Sequence, residues 1–210
     1  MKVLVVADIH EDWPVLEQVV EQENPFAVLS CGDHGDNYHT NFPLYFVPGN
    51  HENFAFIDSL RERTLSLPYL ALIEPGDTHT ITDGVEELRV GGMGGIYNPK
   101  FLDRFKESYF MRDDLARLQN TRRADVLLFH ETMPIIGLER KEEVMGSSEL
   151  QRVVKKLGAK MAFTGHYHQY KEVSKNGTDY VAMDRMNRGY AVLTVADGQI
   201  TREIRQVTRN

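Results

Sequence analysis

The 210-residue chain carries 24 Lys+Arg against 31 Asp+Glu, a formal net charge of −7, with 41% hydrophobic and 26% charged residues. These proportions exclude global disorder, and the length suits one domain, residues 1–210, with a core that needs no staples. A single cysteine, Cys31, excludes an intramolecular disulfide framework and a thiolate zinc knuckle, and the acidic balance argues against broad charge-driven nucleic-acid binding.

The first element is a buried strand over residues 3–7, a short β-branched apolar run ended by polar residues. It stops at Asp8, too short for a membrane helix or a signal-peptide core, so no membrane partner and a cytoplasmic location are expected. A helix follows, with Asp12 as the expected N-cap, Pro14 in its first turn, and Trp13, Leu16, Val19 and Val20 on one face. Phe26 to Leu29 and Leu44 to Val47 read as further strands, each running into a loop with Gly, His and Asp or Asn. Ligand sites collect at such strand ends in α/β sheets.

Asp83-Gly84, Asn176-Gly177 and Asp197-Gly198 each separate two strand-like runs and suit two-residue type I′ turns. Between them, Ser148 and Gln151 suggest a capping box for a helix with Leu150, Val153, Val154 and Leu157 on one face and Gly158 as its stop. Met161 to Thr164 is the next buried strand. Early βαβ units with late hairpins imply an α/β arrangement: a mixed sheet, or two packed sheets with helices outside. Residues 92–147 are the least regular. Within 100–123, seven basic residues face four acidic ones, a local +3 against −10 for the remainder, which reads as a solvated helix face or as a phosphate-facing patch.

Five short segments hold nearly all the candidate ligands, and each follows a strand-like run. They are Asp8-Ile9-His10, Gly32-Asp33-His34-Gly35-Asp36, Gly49-Asn50-His51-Glu52, His130-Glu131 and Gly165-His166-Tyr167-His168. Each alone is weak. In an extended chain the residues i and i+2 share a face, so both side chains of such a pair can reach one ion. Carboxylates, imidazoles and an amide without thiolate suit divalent ions such as Mn²⁺, Fe²⁺ or Zn²⁺. So many ligands exceed the need of one tetrahedral ion, and two ions about 3.5–4 Å apart, sharing a carboxylate, would use them all.

In this order, D-x-H, GD-x-x-D, GNHE, H and GH-x-H, the sequence resembles the calcineurin-like metallophosphoesterase superfamily, and most closely its small, uncapped prokaryotic members. The resemblance implies a four-layer αββα sandwich of two mixed β-sheets flanked by helices. It implies that Asp8, His10 and His168 hold a first metal, that Asp33 bridges, and that Asn50, His130 and His166 hold a second. Mn²⁺ is the first expectation, with Fe²⁺, Zn²⁺ or Ni²⁺ as other ions. His51 is similar to the family's proton donor, and Asp36 to the acid that orients it. The implied chemistry is hydrolysis of a phosphomono- or phosphodiester by a metal-bridging hydroxide, without a phosphoenzyme.

One departure stands out. Asn37 occupies the place where the phosphoprotein phosphatase branch has an arginine, which favours nucleotide or nucleic-acid-type substrates over proteins. A weaker likeness, to lariat-debranching-type phosphodiesterases, rests on GNHE followed by Gly91 to Ile96; there the first-motif aspartate is a cysteine, whereas Asp8 is retained here. Scaffold relatives lose the catalytic histidine, and His51 is present. Gly91 to Gly95 lacks the third glycine of a dinucleotide fingerprint and reads as a tight backbone crossing near the metal loops. His34, Tyr97, Arg104, Tyr109 and Arg112 are candidate substrate contacts, His34 as a loop residue near the mouth. His39 and His79 are expected in exposed loops, and Cys31 as a buried strand-end thiol.

Overall fold

In a computed structural model, which describes residues 1–36, 38, 40–97, 108–121 and 123–208, the chain builds two six-stranded sheets. The order begins β1 (Lys2–Val6), α1 (Trp13–Glu23), β2 (Ala27–Ser30), β3 (Leu44–Phe46), α2 (Phe54–Arg61), β4 (Leu70–Leu72), β5 (His79–Thr82) and β6 (Glu87–Met93). It continues β7 (Ile96–Tyr97), β8 (Tyr109–Phe110), α3 (Arg112–Leu118), β9 (Val126–Phe129), β10 (Glu139–Arg140), β11 (Glu143–Val144) and α4 (Ser148–Leu157). The last strands are β12 (Met161–Thr164), β13 (Lys171–Lys175), β14 (Thr178–Ala182), β15 (Gly189–Ala196) and β16 (Gln199–Gln206).

The first sheet runs β16-β15-β1-β2-β3-β4, and the second β13-β14-β12-β9-β6-β5. In the first, β1 to β4 are parallel, and β15 joins β1 antiparallel. In the second, β6, β9, β12 and β14 are parallel, with β5 and β13 as antiparallel edges. Both sheets are therefore mixed.

Side-chain alternation along a strand explains the layers. From β1, Val3 and Val5 point into a cluster that also holds Val90, Leu128 and Phe163 from the second sheet; Leu4 and Val6 point outward, onto Trp13, Leu16 and Val19 of α1. On the far side, Leu127 and Phe129 of β9 pack with Leu115 of α3 and Leu150, Val153 and Val154 of α4. Strands buried on both faces read as continuous apolar runs. The result is the expected αββα sandwich. Truncating a buried Phe such as Phe163 to Ala costs about 3–5 kcal/mol in a core of this kind.

Local details correct some of the expectations. The N-cap of α4 is Ser147, one residue earlier than predicted: its hydroxyl accepts from Leu150 N at 3.1 Å. Gln151 is thereby free of the cap, and its Oε1 accepts from Ile135 N at 2.7 Å. Asp12 caps α1 by position but without a side-chain bond; its Oδ2 accepts from Asn187 Nδ2 at 2.6 Å. Asn176-Gly177 and Asp197-Gly198 are two-residue turns with positive φ at both positions. Asp83-Gly84 instead opens a four-residue loop closed by Asp83 Oδ1 on Val85 N and Glu86 N, since Thr82 pairs with Glu87.

Candidate metal centre

Asp8 and His10 follow β1, Asp33 follows β2, Asn50 and His51 follow β3, His130 follows β9, and His166 and His168 follow β12. All five loops leave the C-terminal ends of parallel strands, three in the first sheet and two in the second, and they converge. Short backbone bonds fix their spacing: Asp8 N to Gly32 O at 3.0 Å, His10 N to Asp33 O at 2.7 Å, and Gly165 N to His130 O at 3.2 Å. A further bond, Gly95 N to Pro48 O at 2.8 Å, brings β6 across the third loop; a Cβ on Gly94 would collide with that carbonyl, so the glycine run is the expected tight crossing.

Asp8, His10, Asp33, His166 and His168 all have positive φ, between 46° and 73°. Such backbone is strained for residues other than glycine and gathers where side chains must be aimed against local preference. Here it marks five of the candidate ligand residues.

Ligand atoms of Asp8, His10, Asp33 and His168 all lie within 4.8 Å of one another. His10 Nε2 is 3.0 Å from His168 Nε2 and 3.5 Å from Asp33 Oδ2, and His168 Nε2 is 3.6 Å from Asp8 Oδ1. A second group adjoins it: His130 Nε2 is 2.9 Å from Asn50 Oδ1 and 3.4 Å from Asp33 Oδ1, with the His166 ring 5.0 Å from that of His130. Asp33 thus presents one oxygen to each group. Its Oδ1 also accepts from Asn50 N and His51 N, both at 2.8 Å.

The electrostatics suit a cation. Burial pushes the Asp33 carboxyl up, but His130, the His51 N–H and His10 hold it below the ordinary range. Burial opposes the His130 imidazolium, yet Asp33 and Asp8 outweigh it and raise its pKa; the same anionic field attracts a metal in the proton's place. His130 Nδ1 donates to Cys31 O at 2.8 Å, which fixes the ring and turns Nε2 to the site. Burial, then the charge of His130, lowers His166 to about 4, so its ring is neutral at ordinary pH, the form a metal ligand needs. Two buried carboxylates, four imidazoles and an amide in this packing fit divalent metal ions.

His51 is exposed, with its ring 5.7 Å from that of His10. It lines a cleft of about 420 Å³ with His10, Glu11, Asp36, Asn50 and Glu52. Asp36 shares the cleft, but its exposed carboxylate makes no hydrogen bond or ion pair with His51; its backbone is held instead, N to Glu11 Oε1 at 2.5 Å and O from Asn53 Nδ2 at 3.2 Å. The expected orienting contact is therefore absent here.

The substrate-contact candidates fare differently. His34 is not at the mouth: it is 0% exposed, hydrogen-bonded to Glu52 and packed on Trp13, Tyr38 and Phe46. Tyr97 packs on Phe110 at 5.2 Å, Arg112 is exposed at the start of α3, and Tyr109 lines another groove with Arg61, Glu74 and Arg117. None of these lines the His51 cleft. Arg104 lies outside the described residues, as do Asn37, His39 and part of the basic patch. His79 belongs to β5, half-buried against Tyr45, and is not a loop residue; Cys31 is the buried thiol expected. Glu52, which stands inside the GNHE motif, pairs with buried His34, a contact the motif alone does not mark.

The sequence matches the family described as calcineurin-like phosphoesterase over residues 1–170. The chain belongs to that family of metal-dependent enzymes, which hydrolyse phosphate esters. No curated protein matches it. Among solved structures, the protein TT1561 of Thermus thermophilus aligns with a TM-score of 0.65 at 14% identity over 99% of both chains. A phosphopantetheinyl hydrolase from Mycobacterium tuberculosis aligns at 0.58 and 14% identity, over 88% of this chain and 90% of that one. A putative 5′-nucleotidase from Staphylococcus aureus aligns at 0.65 and 15% identity, over 100% of this chain and 54% of that one. At these identities the likeness is one of fold.

Proposed function

We propose that this phosphoesterase works with two divalent metal ions, on phosphomono- or phosphodiesters of nucleotide or nucleic-acid type. The observation that carries the reading is the division of Asp33, with Oδ2 toward His10 and Oδ1 toward His130. Asp8, His10 and His168 would hold one ion and Asn50, His130 and His166 the other, with Asp33 common to both. Mn²⁺ is the first choice of ion. When bound, the ions supply charge neutralisation for the phosphoryl oxygens and acidify an attacking water.

The chain's own residues do the rest. The N–H groups of Asn50 and His51 orient the Asp33 carboxylate. Cys31 O holds the His130 ring in the tautomer that leaves Nε2 facing the site. His51, exposed in the cleft beside His10, would give a proton to the leaving oxygen at the edge of the site, a role its exposure supports. Asn37, standing where an arginine grips phosphate in the phosphoprotein phosphatases, supports small or nucleic-acid-type substrates over proteins.

Metal analysis and rates on an aryl monoester and an aryl diester, with Mn²⁺, Ni²⁺, Zn²⁺ and Mg²⁺ in turn, test the reading. Two ions per chain and metal-dependent turnover are expected. A stoichiometry well below two without esterase activity would make the protein a silent scaffold on this fold.

A further inference from the structure

The segment after β14 carries a cation, Arg185, that forms no ion pair among the described residues, beside the loop that bears Asp8 and His10. Met183 and Met186 are buried, and Met186 N donates to Ala7 O at 2.9 Å, next to Asp8. Asn187 Nδ2 donates to Asp12 Oδ2 at 2.6 Å. The segment is therefore tied to both ends of the loop between β1 and α1.

Arg185 stands beside these ties with its backbone fixed. Its N–H donates to Asp184 Oδ1 at 2.8 Å, and its carbonyl accepts from Arg188 N at 2.9 Å and Gly189 N at 3.3 Å. Its guanidinium is different. The Nε is buried without a hydrogen-bond partner, and the adjoining carboxylate, Asp184, pairs with Arg188 at 3.3 Å instead. The nearby Arg205, by contrast, pairs with Glu23 at 2.6 Å. Among the described residues no carboxylate forms an ion pair with Arg185.

A permanent positive charge next to a place built for metal cations is unfavourable by itself. It becomes favourable when an anion occupies the space between. We infer that Arg185 binds a phosphoryl oxygen of the substrate from the His10 side of the site and selects phosphomonoesters over phosphodiesters; this rests on the metal-dependent phosphoesterase reading above. A monoester near neutral pH carries close to two negative charges over three non-bridging oxygens, whereas a diester carries one over two. The forked guanidinium adds most where anionic oxygens are most numerous.

The test compares wild type, R185Q and R185K, each loaded with Mn²⁺. Bound metal is counted, inorganic phosphate binding is measured by calorimetry, and kcat and KM are taken on p-nitrophenyl phosphate and bis(p-nitrophenyl) phosphate. R185Q should keep the wild-type metal count, bind inorganic phosphate about tenfold more weakly or worse, and raise the monoester KM by a similar factor. Its loss on the diester should be several-fold smaller than on the monoester, because one charge over two oxygens gives the fork less to bind. R185K, which keeps the charge but not the fork, should recover part of the monoester loss. Unchanged phosphate affinity in R185Q, an equal loss on the diester, or loss of metal would each overturn the assignment. A wild type with neither metal nor esterase activity would overturn the phosphoesterase reading and this inference with it; an active wild type beside an indifferent R185Q overturns Arg185 alone.

Discussion

Glu52 Oε1 lies 2.9 Å from His34 Nδ1, and neither side chain is exposed. The same carboxylate accepts from Asp33 N at 2.9 Å, His34 N at 3.1 Å, Gly49 N at 2.7 Å and Tyr38 Oη at 2.6 Å. One buried side chain thus joins the loop that carries Asp33 to the loop that carries Asn50 and His51. Burial pushes the Glu52 carboxyl up, but His34 and the backbone donors hold it below the ordinary range, so it remains an anion.

Glu52→Gln should therefore damage both fold and metal site. The amide cannot accept at both positions from four donors, and His34 loses its buried partner. A loss of about 2–4 kcal/mol in unfolding free energy is expected, together with weaker metal binding. Denaturant melts and a metal titration check it. A variant with wild-type stability and wild-type metal affinity would show that the loops are held by something else.

His51 and Asp36 separate by experiment. His51→Ala should lower kcat by about 10²–10⁴, the usual contribution of a general acid, while leaving the metal count unchanged. Asp36→Asn should lower it far less, because the Asp36 carboxylate is exposed and not bonded to His51. If Asp36→Asn matched His51→Ala in kcat, the two side chains would have to pair once substrate is bound.

The convergence of the candidate ligands was legible because each stands in a short motif at a strand exit, and the apolar runs that mark β1, β2, β3, β9 and β12 are strong. The layers followed from the same runs, which are buried on both faces. What the sequence hid is tertiary. His34 looks like any loop histidine until Trp13, Tyr38 and Phe46 close over it. The strained φ values of Asp8, His10, Asp33, His166 and His168 leave no trace in residue type, since only glycine advertises them. Arg185 is more than a hundred residues from the loop between β1 and α1 that its segment adjoins, so no local motif marks it. The start of α4 slipped by one residue because Ser147 and Ser148 offer the same hydroxyl.

Metal and stability should be linked. Asp8 and Asp33 are almost wholly buried, and cations that neutralise them would bind the folded chain far better than the unfolded one. A ligand present at a hundred times its Kd adds about 2.7 kcal/mol of stability. Tm should accordingly rise with added Mn²⁺ and fall back after EDTA. In Asp33→Asn the rise should shrink sharply, because both ligand groups lose the carboxylate they share. A Tm indifferent to Mn²⁺ in wild type would contradict a metal centre at these residues.

Cys31 should be unreactive while the chain is folded. The thiol has no exposure, and burial, reinforced by Asp8, raises its pKa far above the ordinary thiol value. Only the thiolate attacks disulfide reagents at a useful rate. Ellman's reagent should therefore give one fast equivalent in guanidinium chloride and almost none in native buffer. Rapid reaction of the native protein would mean that the strand end at Cys31 opens readily, and with it the carbonyl that orients His130.

Away from the site, Glu23 offers a pH test of the fold. Its side chain is 3% exposed and accepts from Arg205 Nη1 at 2.6 and 2.7 Å and from Tyr190 Oη at 2.8 Å, tying α1 to β15 and β16. Burial raises its pKa, but the bonds from Arg205 and Tyr190 outweigh burial and hold it below the ordinary 4.5. With the folded value below the unfolded one, the carboxylate contributes stability in full above the unfolded pKa, and this is lost as pH falls through the folded one. Glu23→Gln should cost about 1.5–3 kcal/mol near pH 7, the value of hydrogen bonds to a charged group. The gap between wild type and variant should narrow as the pH drops below about 4.5, where the wild-type carboxylate begins to protonate in the unfolded chain. Denaturant melts from pH 7 down to pH 3 measure that gap directly. A constant gap would mean that Glu23 acts through packing and not through its charge.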